Sequence, residues 1–306
     1  TLRRALSIYE KSLRPGHPYI ATALNNLGTN LQHLGFYSKA ILCYEKALAI
    51  EETISGENDL GVAATLQNLA AAYDKIGSYS RARPLYERAL AIREDALGDI
   101  HPSVAITSLN FGMSLREQGL LEDARPLLER SLSIHEKNYG LNHIMVAHSL
   151  NSLAVVLDDL GSFGKAKDLV ERSLAIRKEN LGANHTSLAV SLSWLADFSR
   201  RQGNYEESLS LHWKAYRIFE ASYGKTHPKT TSTEDNIGYS LKTMGRHYQA
   251  KLSFASSLRN KIQHLSQNMR AMTEAERFQY LKIQNGPETL LLNLVALQGN
   301  GPKKTD

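Results

Sequence analysis

The chain has 306 residues, of which 42% are hydrophobic and 22% charged, and its formal net charge is +5. Its lysines and arginines are interleaved with acids and form no dense basic block, so nucleic acid is permitted but not indicated. The single cysteine, Cys43, excludes an internal disulfide framework. The longest apolar runs, Leu290–Leu292 and Leu294–Leu297, fall far short of the roughly 18–20 residues that span a bilayer.

The N-terminus carries neither an initiator Met nor a charged-then-apolar leader. Ala5, Leu6 and Ile8 return as Ala47, Leu48 and Ile50, so residues 1–16 read as the second helix of a repeat that lacks its first. A piece cut from a longer protein is expected, and a cytoplasmic one.

Residues 17–260 read as six units of 42 residues. The stretch ALNNLGTNLQHLGFYSKAILCYEKALAI, from Ala23 to Ile50, returns as TLQNLAAAYDKIGSYSRARPLYERALAI from Thr65 to Ile92. Gly35, Gly77, Gly119, Gly161, Gly203 and Gly245 keep the same spacing. Self-similarity at a fixed period of this size signals stacked repeats, in which length adds units rather than enlarging one core. Within a unit, Leu66, Leu69, Ala70 and Tyr73 form one helical face, and Ala82, Leu85, Tyr86, Ala89, Leu90 and Ile92 form another. The glycine between them stops the first helix and turns the chain into the second.

One row of small residues runs Gly28, Ala70, Gly112, Ala154, Ala196, Gly238, and another runs Ala40, Ala82, Ala124, Ala166, Ser208, Ala250. Side chains this small let the two helices of a hairpin approach closely. A bulky row, Tyr44, Tyr86, Leu128, Val170, His212 and Phe254, is expected to plug the gap between successive hairpins.

The pattern Leu66-x2-Leu69-Ala70-x2-Tyr73, then Ala82-x3-Tyr86 and Ala89, resembles the tetratricopeptide repeat. The unit has 42 residues instead of the usual 34, Leu24 or Leu66 stands at the tryptophan position, and the helix-ending proline is missing. Gly98 to Ala105 (GDIHPSVA) lies between units instead. With Leu24 to Leu27 (LNNL), these features are similar to the 42-residue class typified by kinesin light chain. The resemblance implies an all-α fold, a right-handed superhelical solenoid of helix-turn-helix repeats with the first helices on its concave side.

His17, His101, His143, His185 and His227 share one phase, and Asp59 holds it in the one remaining unit. Metal ligands must converge on one ion, whereas residues one repeat apart lie about two interaxial spacings of 8–10 Å from each other. These histidines therefore read as capping or packing residues for the following helix, the more so because Pro18, Pro102 and Pro228 come next. No metal and no cofactor is expected. Cys43 is in phase with Leu85, Leu127, Leu169 and Leu211 and reads as a buried packer. Gly161 to Lys165 (GSFGK) lacks the spacing, the Ser/Thr and the strand of a phosphate loop. No nucleophile elbow or zinc motif appears, and the chain reads as non-catalytic.

The binding surface is expected on the first helices, in a stripe at i, i+3, i+4, i+7 spacing. Its candidate residues are Asn25, Asn26, Gln67, Asn68, Asn110, Arg116, Asn151 and Asp158, then Trp194, Arg200, Arg201, Asn236, Tyr239 and Lys242. An amide both donates and accepts, so a ladder of asparagines can grip an extended peptide main chain whatever its side chains. The resemblance implies that role; alternatively the asparagines bond only to neighbouring repeats. Charge along the stripe changes from acidic at Asp158 and Asp159 to basic at Arg200, Arg201 and Lys242, which suits a partner of complementary polarity.

Beyond about Arg259 the period fails. Thr273-Glu274-Ala275-Glu276 reads as a capping box opening a helix to about Gln284, and a second apolar helix runs from about Glu288 to Gln298. Residues 261–298 would cap the stack or connect it to a further domain, and residues 299–306 form a polar tail. The segment from Ala275 to Leu281 (AERFQYL) resembles the connector that precedes caspase-like CHAT domains in bacterial proteins. The sequence thus points to a scaffold holding a peptide or protein in its concave groove. Two alternatives stand: the sensor region of a larger CHAT protease, and an RNA- or RNP-binding solenoid.

Overall fold

The structure, a computed structural model, describes residues 2–269, and among them every regular element is an α-helix. A leading helix, α1 (Leu2–Ser12), is followed by alternating first and second helices. The first helices are α2 (Pro18–His33), α4 (Leu60–Lys75), α6 (Pro102–Glu117), α8 (Ile144–Asp159), α10 (Thr186–Arg201) and α12 (Pro228–Thr243). The second helices are α3 (Tyr37–Ser55), α5 (Tyr79–Leu97), α7 (Leu121–Tyr139), α9 (Phe163–Leu181), α11 (Tyr205–Tyr223) and α13 (His247–Met269). The chain divides into two compact units, Thr1–Ala166 and Lys167–Asp306.

The helix starts follow from the histidine row. His17, His101, His143, His185 and His227 are N-cap residues with extended backbone, and each Nδ1 accepts the backbone N–H two residues on at 3.1–3.2 Å. Asp59 does the same for α4, taking the Gly61 N–H at 2.8 Å. Each cap satisfies a donor that the first turn leaves without a partner. Two of the rings are also held by tyrosines from the preceding helix: Tyr139 stacks on His143 at 4.5 Å and Tyr223 on His227 at 4.3 Å.

The stops are glycines. Gly77 ends α4 at φ +72°, a conformation that costs any other residue backbone strain, and its 42-residue counterparts do likewise. A second row, represented by Gly98 at φ +82°, ends each 19-residue second helix. The phase equivalent at the end of α13 is Ser266, and that helix continues to Met269, giving 23 residues.

The small row and the bulky row are partners within one hairpin. A Cβ on Gly28 would lie 2.6 Å from the Tyr44 ring, and one on Gly238 would lie 2.7 Å from Phe254. This corrects the expectation that the bulky row only fills gaps between hairpins, although Tyr86 serves both ends: it also stacks on Phe111 of the next hairpin at 5.5 Å. Successive hairpins are joined by aliphatic packing. Leu48 of α3 and Leu85 of α5 close on Val62, Ala63 and Leu66 of α4. In the second unit, Leu209 and Tyr216 of α11 pack with Ile237, Leu241, Ala250 and Phe254. Cys43 packs against Ile20, Ala21 and Leu24 but is half-buried, as are Leu85, Leu127 and Leu169 at its phase, where a buried packer was expected.

A polar seam runs through these junctions. Thr65, Thr107 and Ser149 are fully buried at one phase of α4, α6 and α8. Thr65 accepts from Asn25 Nδ2 at 2.6 Å, Thr107 meets the Arg93 guanidinium, and Ser149 Oγ lies 2.8 Å from His135 Nδ1. Buried hydroxyls persist only where they are hydrogen-bonded, and here each of the three has a partner from the preceding hairpin.

Candidate functional site

Side-chain bonds tie the first helices of the leading unit into one surface. Asn68 of α4 donates to Asn25 Oδ1 of α2 at 3.1 Å. The buried Asp74 carboxylate of α4 accepts from Tyr86 at 3.0 Å and from Ser114 of α6 at 2.8 Å. At the far ends of the helices Lys75 pairs with Glu117 at 3.5 Å and Arg116 Nε with Asp159 at 2.6 Å. Burial pushes the Asp74 carboxyl above its usual range, opposed by the hydrogen bonds from Ser114 and Tyr86. Burial beside Asp74 also pushes the Tyr86 phenol up.

These bonds divide the candidate residues in two. Asn25 has both ends of its amide engaged, donating to Thr65 and accepting from Asn68. Gln67 accepts from Arg93 at 2.6 Å, and Arg116 is held by Asp159. Asn151 and Asp158 are buried, at 8% and 3% exposure. Asn26 and Asn110 make no side-chain hydrogen bond among the described residues, and Asn68 keeps its Oδ1 and one N–H. Asn26 is exposed, and Asn68 and Asn110 are half-buried. Asn26, Asn68 and Asn110 occupy one phase on α2, α4 and α6, with the exposed Ile106 and half-buried Met113 nearby on α6.

The second unit places a different set on its first helices. Trp194 is half-buried on α10, Arg200 lies 3.5 Å from Asp197, and Arg201 is exposed. On α12 Asn236 is half-buried, Lys242 is exposed, and Tyr239 is 47% exposed with its ring edge-on to Phe254 at 5.1 Å. His212 of α11 is fully buried, its Nε2 3.8 Å from Asp197. Burial pushes its pKa down, the Asp197 charge opposes this, and Arg200 adds to it.

The periodic pattern puts the candidate residues on the first helices, yet it misses the seam of Thr65, Thr107 and Ser149 and the way Asn25 and Gln67 serve it. The 42-residue recurrence of a hydroxyl was the available signal. Among the described residues no three His, Cys, Asp or Glu side chains are placed to hold a metal ion, and no helix is long and apolar enough to cross a membrane. The capping box at Thr273, the helix near Glu288 to Gln298 and the CHAT-like segment lie outside the described residues.

Helical hairpins stacked in register, each opened by the same cap and closed by the same glycine, define a helical-repeat solenoid. The chain belongs to the tetratricopeptide repeat family, whose model matches residues 1–50, 19–95, 103–179 and 187–263. No curated protein is significantly similar in sequence. Among solved structures, the nearly identical TPR-like repeats ascribed to a kinesin light chain of Podosopora anserina are 21% identical, with a TM-score of 0.57, covering 67% of this chain and 97% of that one. BtubC (BKLC) from P. vanneervenii is 18% identical with a TM-score of 0.63, covering 78% of this chain and 93% of that one. A Rap protein complexed with competence and sporulation factor is 13% identical, also with a TM-score of 0.63, covering 97% of this chain and 80% of that one. At these identities the likeness is one of fold. Tetratricopeptide repeats are in general protein-interaction scaffolds.

Proposed function

We propose that the first-helix face of α2, α4 and α6 holds an extended segment of a peptide or protein partner, gripped along its main chain by Asn26, Asn68 and Asn110. The observation that carries this reading is a contrast within one stripe. Asn25 and Gln67 are consumed by the scaffold, whereas three amides at a single phase on three successive first helices keep donors and acceptors that the scaffold does not use. An extended chain presents alternating N–H and C=O groups, which is what such amides can pair with. Ile106 and Met113 add apolar contact that can select a side chain. In the second unit Trp194, Arg200, Arg201, Asn236, Tyr239 and Lys242 would form a more aromatic and basic strip suited to an acidic portion of a ligand.

The test is peptide-display selection on the full chain, followed by affinity measurement on Asn26→Ala/Asn68→Ala/Asn110→Ala. The triple variant should melt within a few degrees of the parent and bind the selected peptide at least tenfold more weakly. Equal affinity would refute the reading.

A further inference from the structure

Three successive second helices carry the same ion pair one turn apart: Arg83–Glu87 on α5 at 2.9 Å, Arg125–Glu129 on α7 at 3.5 Å and Lys167–Glu171 on α9 at 3.7 Å. On α11 those two phases hold Leu209 and Trp213. Leu209 is buried, but Trp213 is left 43% exposed with its ring edge-on to Tyr216 at 5.5 Å. A groove of about 440 Å³ opens at this point, walled by Trp213 of α11 and Leu252 of α13, with Ile237 and Leu241 of α12 at its base. Leu252 is 53% exposed. Leu209 thus joins the core, whereas Trp213 replaces a solvated glutamate with apolar area that stays largely exposed.

The charge beside the groove changes in the same repeats. Where earlier second helices have Ala49, Ala91, Ser133 and Ala175, α11 has Arg217 and α13 has Arg259. Both arginines are exposed, and neither is in an ion pair with an acid among the described residues. The nearby acids are occupied: Glu206 pairs with Arg246 at 2.6 Å, Glu220 with Lys225 at 3.6 Å and Asp235 with Lys261 at 2.5 Å. Glu234, the acid that lines the groove itself, is buried at 8% exposure and its carboxylate accepts from the Asn260 amide at 3.3 Å, so acid on the ligand belongs at the rim beside the arginines and not at the base.

We infer that the groove between α11 and α13 is a second docking site, taking a short acidic segment of a partner protein that inserts a large apolar side chain between Trp213 and Leu252. Exposed aromatic and arginine side chains around an apolar pocket are the residue types that anchor protein interfaces. The unpaired Arg217 and Arg259 select for acid flanking that anchor and against base. The site is separate from the asparagine row and does not depend on it.

The full chain should be titrated with a fluorescein-labelled peptide carrying one phenylalanine among glutamates, and with its lysine counterpart. The glutamate probe should bind, shift the tryptophan emission to the blue, and weaken as salt rises. Trp213→Glu restores the exposed acid that α5, α7 and α9 carry at this phase and leaves the buried Leu209 in place, so the helix should fold, and it should bind the probe at least tenfold more weakly. Arg217→Ala/Arg259→Ala should lose a similar factor, while Asn26→Ala/Asn68→Ala/Asn110→Ala should bind it unchanged. Unaltered affinity in both groove variants, equal binding of the lysine probe, or no binding at all would overturn the inference. So would a dimer of the parent chain in sedimentation that Trp213→Glu dissociates, since the occupant would then be a second copy.

Discussion

Asn68 gives an amide proton to Asn25 across the space between α4 and α2, a 3.1 Å bond between side chains 43 positions apart. Asn25 passes the connection on to Thr65, which is fully buried. One asparagine of the Leu-Asn-Asn-Leu run thus belongs to the scaffold and its neighbour Asn26 to the surface. Asn25→Ala should lower stability by about 1 kcal/mol, because the Thr65 hydroxyl and the Asn68 amide each lose a partner. Asn26→Ala should leave the melting temperature unchanged. Thermal unfolding of the two single variants checks the contrast.

The histidine caps should be exchangeable with aspartate. His101→Ala removes the acceptor for the Ser103 N–H, 3.1 Å away, and should cost about 0.5–2 kcal/mol in urea unfolding. His101→Asp should lie within about 0.5 kcal/mol of the parent, because Asp59 already performs the task for α4 and a carboxylate suits the positive end of a helix.

His212 should make the protein less stable in mild acid. Its folded pKa lies below the unfolded value, so between the two the unfolded chain binds the extra proton, and stability is lost as pH falls from about 6.5. Both ring nitrogens are buried without a hydrogen bond, and Asp197 Oδ1 at 3.8 Å from Nε2 is too far to supply one. His212→Leu, with the side chain that Leu128 supplies at this phase, should raise stability at pH 7 by about 1 kcal/mol and flatten the decline between pH 6.5 and 5. Melting curves across that range read both effects.

Asp74 should act in the opposite sense. Burial raises its folded pKa, so above about 3.9 the folded state holds the proton that the unfolded state has released, and stability falls as pH rises through that window. Asp74→Asn removes the titration. The stability of the parent relative to the variant should therefore improve as pH is lowered from 7 to 4, which urea unfolding at the two pH values would show.

Much of this architecture could be read because a solenoid writes each contact several times. Gly35 and Gly77 mark equivalent bends, and His101 and Asp59 cap equivalent helices, since each repeat meets its neighbours in the same way. What periodicity does not reveal is how a side chain divides its hydrogen bonds between scaffold and solvent. Asn25 and Asn26 are adjacent, of one type and on one helix face, and only the position of Thr65 on the next first helix separates their roles. Tyr44 was likewise misplaced by phase alone, because the absence of a side chain at Gly28, which draws the ring into its own hairpin, is a fact of packing. The exchange of Arg–Glu for Leu209 and Trp213 was visible as a broken pattern, but its meaning depended on the groove beside it.

The most direct test of the account is to follow the asparagine side-chain amide resonances by NMR while titrating a peptide selected against the full chain. The amides of Asn26, Asn68 and Asn110 should shift together and saturably. Those of Asn138 and Asn180, whose Nδ2 atoms donate to Ile134 and Ile176 carbonyls at 2.8 Å on second helices, should stay still. Shifts at Asn138 and Asn180 with the three first-helix amides unmoved would contradict it.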